Sequence, residues 1–151
     1  MNRFDRLHAL LGQKPRANLG FFPPPLYKLE RLSERLGVNL YVTRDDFSGM
    51  SLFGGNKIRK LEYLLNDAKN KGCDTVFTYG ATQSNHAMET ATAVRKCGMT
   101  PVLYLAAHVN PDAADIRANL LLDTILGAEI PILPANGRST KDTIPASTAD
   151  I

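Results

Sequence analysis

The stretch TVFTYGATQSNHAMETATAVRKCGMTPVLYL, residues 75–105, predicts the centre of an α/β fold. Residues 75–79 and 101–105 are apolar runs rich in β-branched and aromatic side chains, which indicates two strands. Between them, the polar segment 83–86 opens a predicted helix that runs to Cys97 and ends at Gly98. A strand–helix–strand unit favours parallel pairing of its strands with a right-handed crossover.

The alternation of strands and helices extends on both sides of this unit. A predicted helix over 57–71 precedes it, and a predicted helix over 112–126 and a short strand over 129–133 follow. Pro131 predicts that this last strand lies at the edge of the sheet. Towards the N-terminus we predict helices over 3–12 and 27–36, an extended proline-rich strap over 21–26 and a strand over 39–43. The order β–α–β–α–β–α–β predicts a three-layer α/β fold, a parallel sheet with helices on both faces.

Length and composition limit the classes of function. The chain has 151 residues, 44% of them hydrophobic, which is typical of a globular protein of about one domain. The net charge of +3, without a basic stripe, argues against nucleic-acid binding. No apolar run reaches the ~18 residues of a membrane span, and neither of the two cysteines has a metal-site spacing. We therefore expect a cytoplasmic protein with reduced cysteines, no metal and no membrane partner.

The segment Gly54-Gly55-Asn56-Lys57 is the first candidate site. Two glycines allow a tight turn or the close approach of a ligand. Lys57 then opens a helix beside Arg59 and Lys60, in a positive field that disfavours its charged form. An uncharged lysine is a nucleophile that can bond to a carbonyl group. The alternative is a solvated surface lysine, which the spacing alone favours.

The second candidate site is the start of the helix after the first central strand. Backbone N–H groups at a helix N-terminus favour an anion such as a substrate carboxylate. Ser84 and Asn85 are equally good N-caps, and capping is the simpler account of both. Arg44-Asp45-Asp46, which follows the strand over 39–43, could frame a site, although an Arg–Asp pair that ties the loop is the favoured interpretation.

Together these motifs carry a resemblance to a known family. The segments Arg44–Asp46, Gly54–Lys57, Arg59–Glu62 and Gln83–His86, in this order, resemble the start of the fold-type II pyridoxal-phosphate enzymes. The chain looks most like the branch that contains 1-aminocyclopropane-1-carboxylate deaminase and D-cysteine desulfhydrase. The similarity covers residues 20–133, with Pro24 where the family has a threonine.

The resemblance implies a role for each motif residue. Lys57 matches the lysine that bonds to pyridoxal phosphate and moves a proton near the substrate α-carbon. Asn85 matches the residue that hydrogen-bonds the cofactor's ring hydroxyl, and Asn56 shapes the lysine loop. Ser84 matches a catalytic residue that holds the substrate carboxylate, with Asn85 and His86 beside it. His86 favours D-cysteine desulfhydrase, because the deaminases tend to have glutamine there.

The resemblance also implies a division of the chain and an activity. Residues 1–46 would belong to a large cofactor domain, and 47–134 would form a small α/β domain. Residues 135–151 have no apolar period, and this pattern itself predicts a loop or disordered tail. The family's phosphate-binding loop and a catalytic tyrosine come from later sequence, so we expect a fragment with little or no activity alone. The full-length family is expected to be homo-oligomeric. The implied reaction converts the small amino acid D-cysteine to pyruvate, sulfide and ammonia. The alternatives are 1-aminocyclopropane-1-carboxylate deamination and a non-catalytic α/β module that binds a protein or an anion.

Overall fold

The computed structural model describes residues 2–49, 54–107, 112 and 116–133. The chain divides into two units, Met1–Asp67 and Ala68–Ile151. Each unit contains a sheet of its own. The expected domain boundary between residues 46 and 47 stays a prediction. The predicted tail over 135–151 lies outside the described residues.

The first unit combines short elements with a two-stranded sheet. Its elements are α1 (Arg3–Gly12), β1 (Leu26–Lys28), α2 (Glu30–Leu36), β2 (Tyr41–Thr43), a 3₁₀ turn (Asp45–Phe47) and the start of α3 (Ile58–Asn70). The side chain of Asn2 caps α1 in a reciprocal capping box with Asp5. Strand β1 pairs antiparallel with β2, with Leu26 opposite Thr43. Helices α1 and α3 agree with the predicted helices to within a residue at each end.

Two expectations for this unit are corrected. The strand predicted over 39–43 does not extend the parallel alternation, because β2 pairs antiparallel with β1 in a separate sheet. The helix predicted from residue 27 begins at Glu30, because the backbone of residues 26–28 is hydrogen-bonded as a strand. Its end is as predicted, since Gly37 takes the left-handed conformation with a φ of 67°.

The second unit is a three-stranded parallel sheet with helices. Its elements are β3 (Thr75–Ala81), α4 (Asn85–Lys96), β4 (Thr100–Ala106), α5 (Ala118–Ile125) and β5 (Ile132–Leu133), with strand order β3-β4-β5. Strand β4 lies in the centre, with Thr75 opposite Thr100, and β5 lies at the edge as Pro131 predicted. The predicted α/β class with a parallel sheet is therefore confirmed.

The core of this unit lies between the sheet and helices α4 and α5. Leu103 and Leu105 of β4 are fully buried, and they pack with alanines of α4 and with Leu120 of α5. Alternate side chains of a strand face opposite sides. Tyr104 accordingly lies on the other face, where its ring stacks on Tyr79 with centroids 5.2 Å apart. This packing fixes the position of the β3–α4 turn, which carries the second candidate site.

Helix α5 is shorter than predicted. It begins at Ala118 instead of residue 112, because Arg117 is extended, with a φ of −140°. Residues 112 and 116 are also non-helical, whereas 113–115 are not described. The predicted stop at Gly127 is correct, since this glycine has a φ of 67°. Within the described residues, no helix is both long enough and apolar enough to cross a membrane.

Candidate active site

Lys57 lies on a loop whose backbone packs closely against neighbouring turns. A Cβ on Gly54 would overlap the carbonyl oxygen of Asp46, so only glycine fits at this position. The carbonyl of Gly55 lies 3.0 Å from the hydroxyl of Ser48, which is completely buried. The Lys57 side chain is half-buried, and its Nζ donates to Asn56 Oδ1 over 2.7 Å. Asn56 thus contacts the lysine amine directly.

The Arg44-Asp45-Asp46 motif ties this loop through two ion pairs. Arg44 Nε donates to Asp46 Oδ1 over 2.8 Å, and this guanidinium lowers the pKa of the Asp46 carboxyl. Arg59 Nη2 lies 2.7 Å from Asp45 Oδ1, which raises the pKa of Arg59. The positive charge that the sequence places beside Lys57 is therefore partly neutralised, because Arg59 is paired. The structure agrees with the loop-tying interpretation of the motif.

Ser84 is the N-cap of α4. Its Oγ accepts the backbone N–H of Ala87 over 3.2 Å, as the capping interpretation predicts. A Cβ on Gly80 would lie 2.8 Å from both Cβ and Oγ of Ser84. Only glycine lets strand β3 come this close to the cap. The start of α4 is thereby held at the carboxyl end of β3, where ligands gather in parallel sheets.

Asn85 is the first residue of α4 and not its cap, so the capping interpretation fails for this residue. Its side chain is exposed, and its Oδ1 accepts Nδ2 of Asn119 over 2.7 Å. Asn119 also donates from the same Nδ2 to the carbonyl of Gln83 over 3.0 Å. Asn119 is a site residue that the sequence reasoning missed. The sequence carries no signal for this role, because Asn119 is one of several polar residues in the predicted helix over 112–126.

His86 is half-buried between β3 and its own helix. Its Nε2 lies 3.0 Å from the hydroxyl of Thr78, and its Nδ1 lies 3.4 Å from the hydroxyl of Thr90. Thr90 already donates its hydroxyl hydrogen to the His86 carbonyl over 2.7 Å, so its oxygen is left to accept from Nδ1. The contacts therefore place a hydrogen on Nδ1. They hold the ring within the second unit, and its role toward a substrate stays a prediction.

The structure brings Ser84, Asn85 and His86 together on one helix turn, and it places Asn56 on Lys57. Lys57 belongs to the first unit, and the three α4 residues belong to the second. That the Lys57 amine faces the aldehyde group of a pyridoxal phosphate held against Asn85 stays a prediction.

Comparison with known proteins places the chain in a family. A family profile described as "Pyridoxal-phosphate dependent enzyme" matches residues 17–149. A protein of Pyrococcus abyssi named a putative 1-aminocyclopropane-1-carboxylate deaminase is 46% identical over 131 residues, which are 87% of this chain and 38% of that protein. A Yersinia pestis protein named D-cysteine desulfhydrase is 44% identical over 120 residues, which are 78% of this chain and 36% of that protein.

A solved structure described as an ACC deaminase homologue has a TM-score of 0.80 and 36% identity, and the match covers 99% of this chain and 43% of that one. The chain thus spans about 38% of the length of the relative from Pyrococcus abyssi. The profile match extends over most of the 151 residues. The chain belongs to the family of pyridoxal-phosphate dependent enzymes.

Proposed function

We propose that this chain is the lysine-bearing part of a pyridoxal-phosphate dependent lyase or deaminase that acts on a small amino acid, with D-cysteine as its substrate. The observation that carries the proposal is the polar turn at the start of α4. There Ser84 caps the helix and Asn85 presents an exposed amide at the carboxyl end of a parallel strand. Because the chain spans 38% of the Pyrococcus abyssi relative, the activity of a whole enzyme is part of the proposal.

The residues of this turn fit an anionic, oxygen-rich ligand. Three features support the fit: the first backbone N–H groups of α4, the Ser84 hydroxyl and the exposed amide of Asn85. Gly80 lets this turn lie directly against β3, because a Cβ at that position would be 2.8 Å from Ser84. In the first unit, the half-buried Lys57 supplies an amine on a loop that is tied at both Gly54 and Gly55.

Each of these groups has a distinct task. Pyridoxal phosphate, when bound, withdraws electrons from the substrate α-carbon. Lys57 would hold the cofactor through Nζ, and the same Nζ would carry the proton at the α-carbon. Asn56, which contacts this nitrogen, would orient it. Ser84 and the amides of α4 would hold the substrate carboxylate, and Asn85 would donate to the ring oxygen of the cofactor.

The attachment of the cofactor tests the proposed role of Lys57. The chain is mixed with pyridoxal phosphate and reduced with borohydride, which converts a C=N bond into a stable C–N bond, and peptide mass spectrometry locates the label. We expect the label on Lys57. The matched control is Lys60, an exposed lysine about one helical turn further along the chain. The proposal is wrong if Lys57→Arg leaves total labelling unchanged while Lys60→Arg lowers it.

The substrate is tested by comparing enantiomers. Pyridoxal phosphate is achiral, so D- and L-cysteine react with the free cofactor to the same extent. We expect D-cysteine to lower the labelling of Lys57 more than L-cysteine does, because only a protein site distinguishes them. A larger effect of 1-aminocyclopropane-1-carboxylate than of D-cysteine would favour the deaminase alternative, which the name of the Pyrococcus abyssi relative supports. Equal effects of both enantiomers would reject D-cysteine as the substrate.

Ser84 allows capping and ligand binding to be separated. Aspartate is as good an N-cap as serine, so Ser84→Asp keeps the helix start but adds a negative charge. If the turn holds a substrate carboxylate, this variant keeps the stability of the chain and loses the effect of D-cysteine on labelling. An unchanged effect would remove Ser84 from the proposed site. A cytoplasmic location and a homo-oligomeric assembly of the full-length enzyme also remain part of the proposal.

A further inference from the structure

The side chain of Gln83 forms a latch that joins the α4 turn to the start of α5. Its Nε2 donates to the carbonyl of Arg117 over 3.2 Å, and its Oε1 accepts the backbone N–H of Asn119 over 3.0 Å. A backbone carbonyl only accepts and a backbone N–H only donates, so the orientation of the Gln83 amide has a single solution.

The latch spans the one non-glycine residue with positive φ among the described residues. Ala118, between Arg117 and Asn119, has a φ of 50°, which an L-residue with a Cβ disfavours. A strained backbone conformation persists where contacts with the surrounding structure hold it in place. Gln83 makes such contacts here, because its side chain hydrogen-bonds the residue before Ala118 and the residue after it. The position of Asn119 is therefore fixed by the α4 turn and not by α5 alone.

The amide of Asn119 transmits this orientation to Asn85. Nδ2 of Asn119 must be the donor toward the backbone carbonyl of Gln83, 3.0 Å away. Its second hydrogen points to the Asn85 side chain over 2.7 Å, so the atom that receives it must be Oδ1. The side-chain oxygen of Asn85 is thus occupied by a hydrogen bond within the protein. Its Nδ2 has no hydrogen-bond partner within the described residues, and the side chain is exposed.

We propose that Asn119 is a positioning residue that, with the Gln83 latch, fixes the Asn85 amide so that Nδ2 is the donor offered to an anionic ligand oxygen. That this oxygen is the ring oxygen of pyridoxal phosphate rests on the proposed function. Without Asn119 the Asn85 amide could turn over, and its oxygen would then face the ligand oxygen with a repulsive contact.

The orientation of Asn85 is tested first without any ligand. Side-chain amide signals of the ¹⁵N-labelled chain are recorded by NMR, and the Asn85 pair is identified by its loss in Asn85→Ala. In Asn119→Asp the carboxylate can only accept, so Asn85 must turn its NH₂ group toward it. We expect the Asn85 pair to shift and to exchange more slowly with water. Asn70→Asp, at the exposed end of α3, makes the same charge change away from the network and leaves the pair in place.

The second test is a double-mutant cycle on the affinity for pyridoxal phosphate. We expect Asn119→Asp to weaken binding about tenfold, because a hydrogen bond to a charged oxygen is lost. Asn119→Ala should weaken the affinity less, because the Asn85 amide can then adopt either orientation. In the Asn85→Ala background, neither change should have a further effect. If Asn119→Asp disturbs folding, Gln83→Ala is used instead, because it releases Asn119 without adding a charge. We expect Gln83→Ala to weaken the affinity for pyridoxal phosphate less than Asn119→Asp does, and to have no effect in the Asn85→Ala background.

The outcomes separate this inference from the proposed function. Unchanged Asn85 signals in Asn119→Asp would overturn the inference whether or not the cofactor binds. An equal loss of affinity with and without Asn85 would also overturn it, because Asn119 would then act through charge or general stability. A wild-type chain that binds no pyridoxal phosphate would defeat the proposed function for this chain, and the NMR result would still decide how Asn85 is oriented.

Discussion

Replacing Asp123 by asparagine is expected to remove a pH-dependent loss of stability. Asp123 lies on α5, three residues after the core residue Leu120, and its side chain is only 1% exposed. Neither carboxylate oxygen has a hydrogen-bond partner within the described residues. Arg95 approaches the same end of α5, but it donates to the carbonyls of Leu126 and Gly127. The carboxyl is therefore buried without compensation.

The magnitude follows from the pKa. Burial raises the pKa of Asp123 from 3.8 to about 6, so the native state binds more protons than the unfolded state between these values. The free energy of unfolding therefore falls as the pH rises through this window. Below about pH 3 the carboxyl is protonated in both states and nothing is lost. Above about pH 6 the full loss applies, which corresponds to about 3 kcal/mol.

Urea unfolding at several pH values measures this effect. The difference between Asp123→Asn and the wild type should grow by about 3 kcal/mol between pH 3 and pH 7. Comparing the stability difference at the two pH values cancels any pH-independent effect of the buried amide on the free energy of unfolding. Asp74→Asn, at an exposed position, is the control and should follow the wild type. Parallel pH curves for Asp123→Asn and the wild type would refute the argument, because the carboxyl would then be solvated or paired.

Substitutions at Glu62, Gly54 and Ser84 test the packing of buried and capping groups, with a control variant for each. The Glu62 carboxylate, 3% exposed, accepts two backbone N–H groups, so Glu62→Ala should cost about 2–4 kcal/mol in urea unfolding and Glu62→Gln clearly less. Gly54→Ala should cost about 1–3 kcal/mol because its Cβ meets the Asp46 carbonyl, whereas Gly12→Ala, with open space around it, should stabilise the chain by up to about 1 kcal/mol. Ser84→Ala should cost about 1 kcal/mol through loss of the cap, and an equal cost for Ser84→Asp would contradict the capping role.

The parallel sheet was predictable because its signals are local. Apolar β-branched runs and glycine stops mark β3, α4 and β4 in the sequence, and each lies within a few residues of its predicted range. Pairing between strands is not a local property. The antiparallel pair β1–β2 went unrecognised because Leu26–Lys28 is three residues long and continues directly into an apolar helical pattern.

The residues of the candidate site could be named from the sequence, and their roles stay predictions, whereas the contacts that support them could not be predicted. Lys57, Ser84 and Asn85 belong to motifs with a fixed spacing, which a single sequence shows. Asn119 is 34 residues from Asn85, and its contact depends on the strained φ of Ala118, which no propensity for helix or strand indicates. Helix α5 begins late for a related reason, since Arg117, directly before Ala118, is extended with a φ of −140°.

The two interpretations of Ser84 that the sequence left open are compatible in the structure. A serine hydroxyl has one hydrogen to donate and two lone pairs to accept with. The cap uses one lone pair, for the N–H of Ala87, and it leaves the hydrogen available for a carboxylate. By the same accounting, the oxygen of Asn85 is occupied by Asn119 and its NH₂ group remains to donate. Neighbouring residues on one helix turn thus both present donors, which favours an anionic ligand on chemical grounds that are independent of the family resemblance.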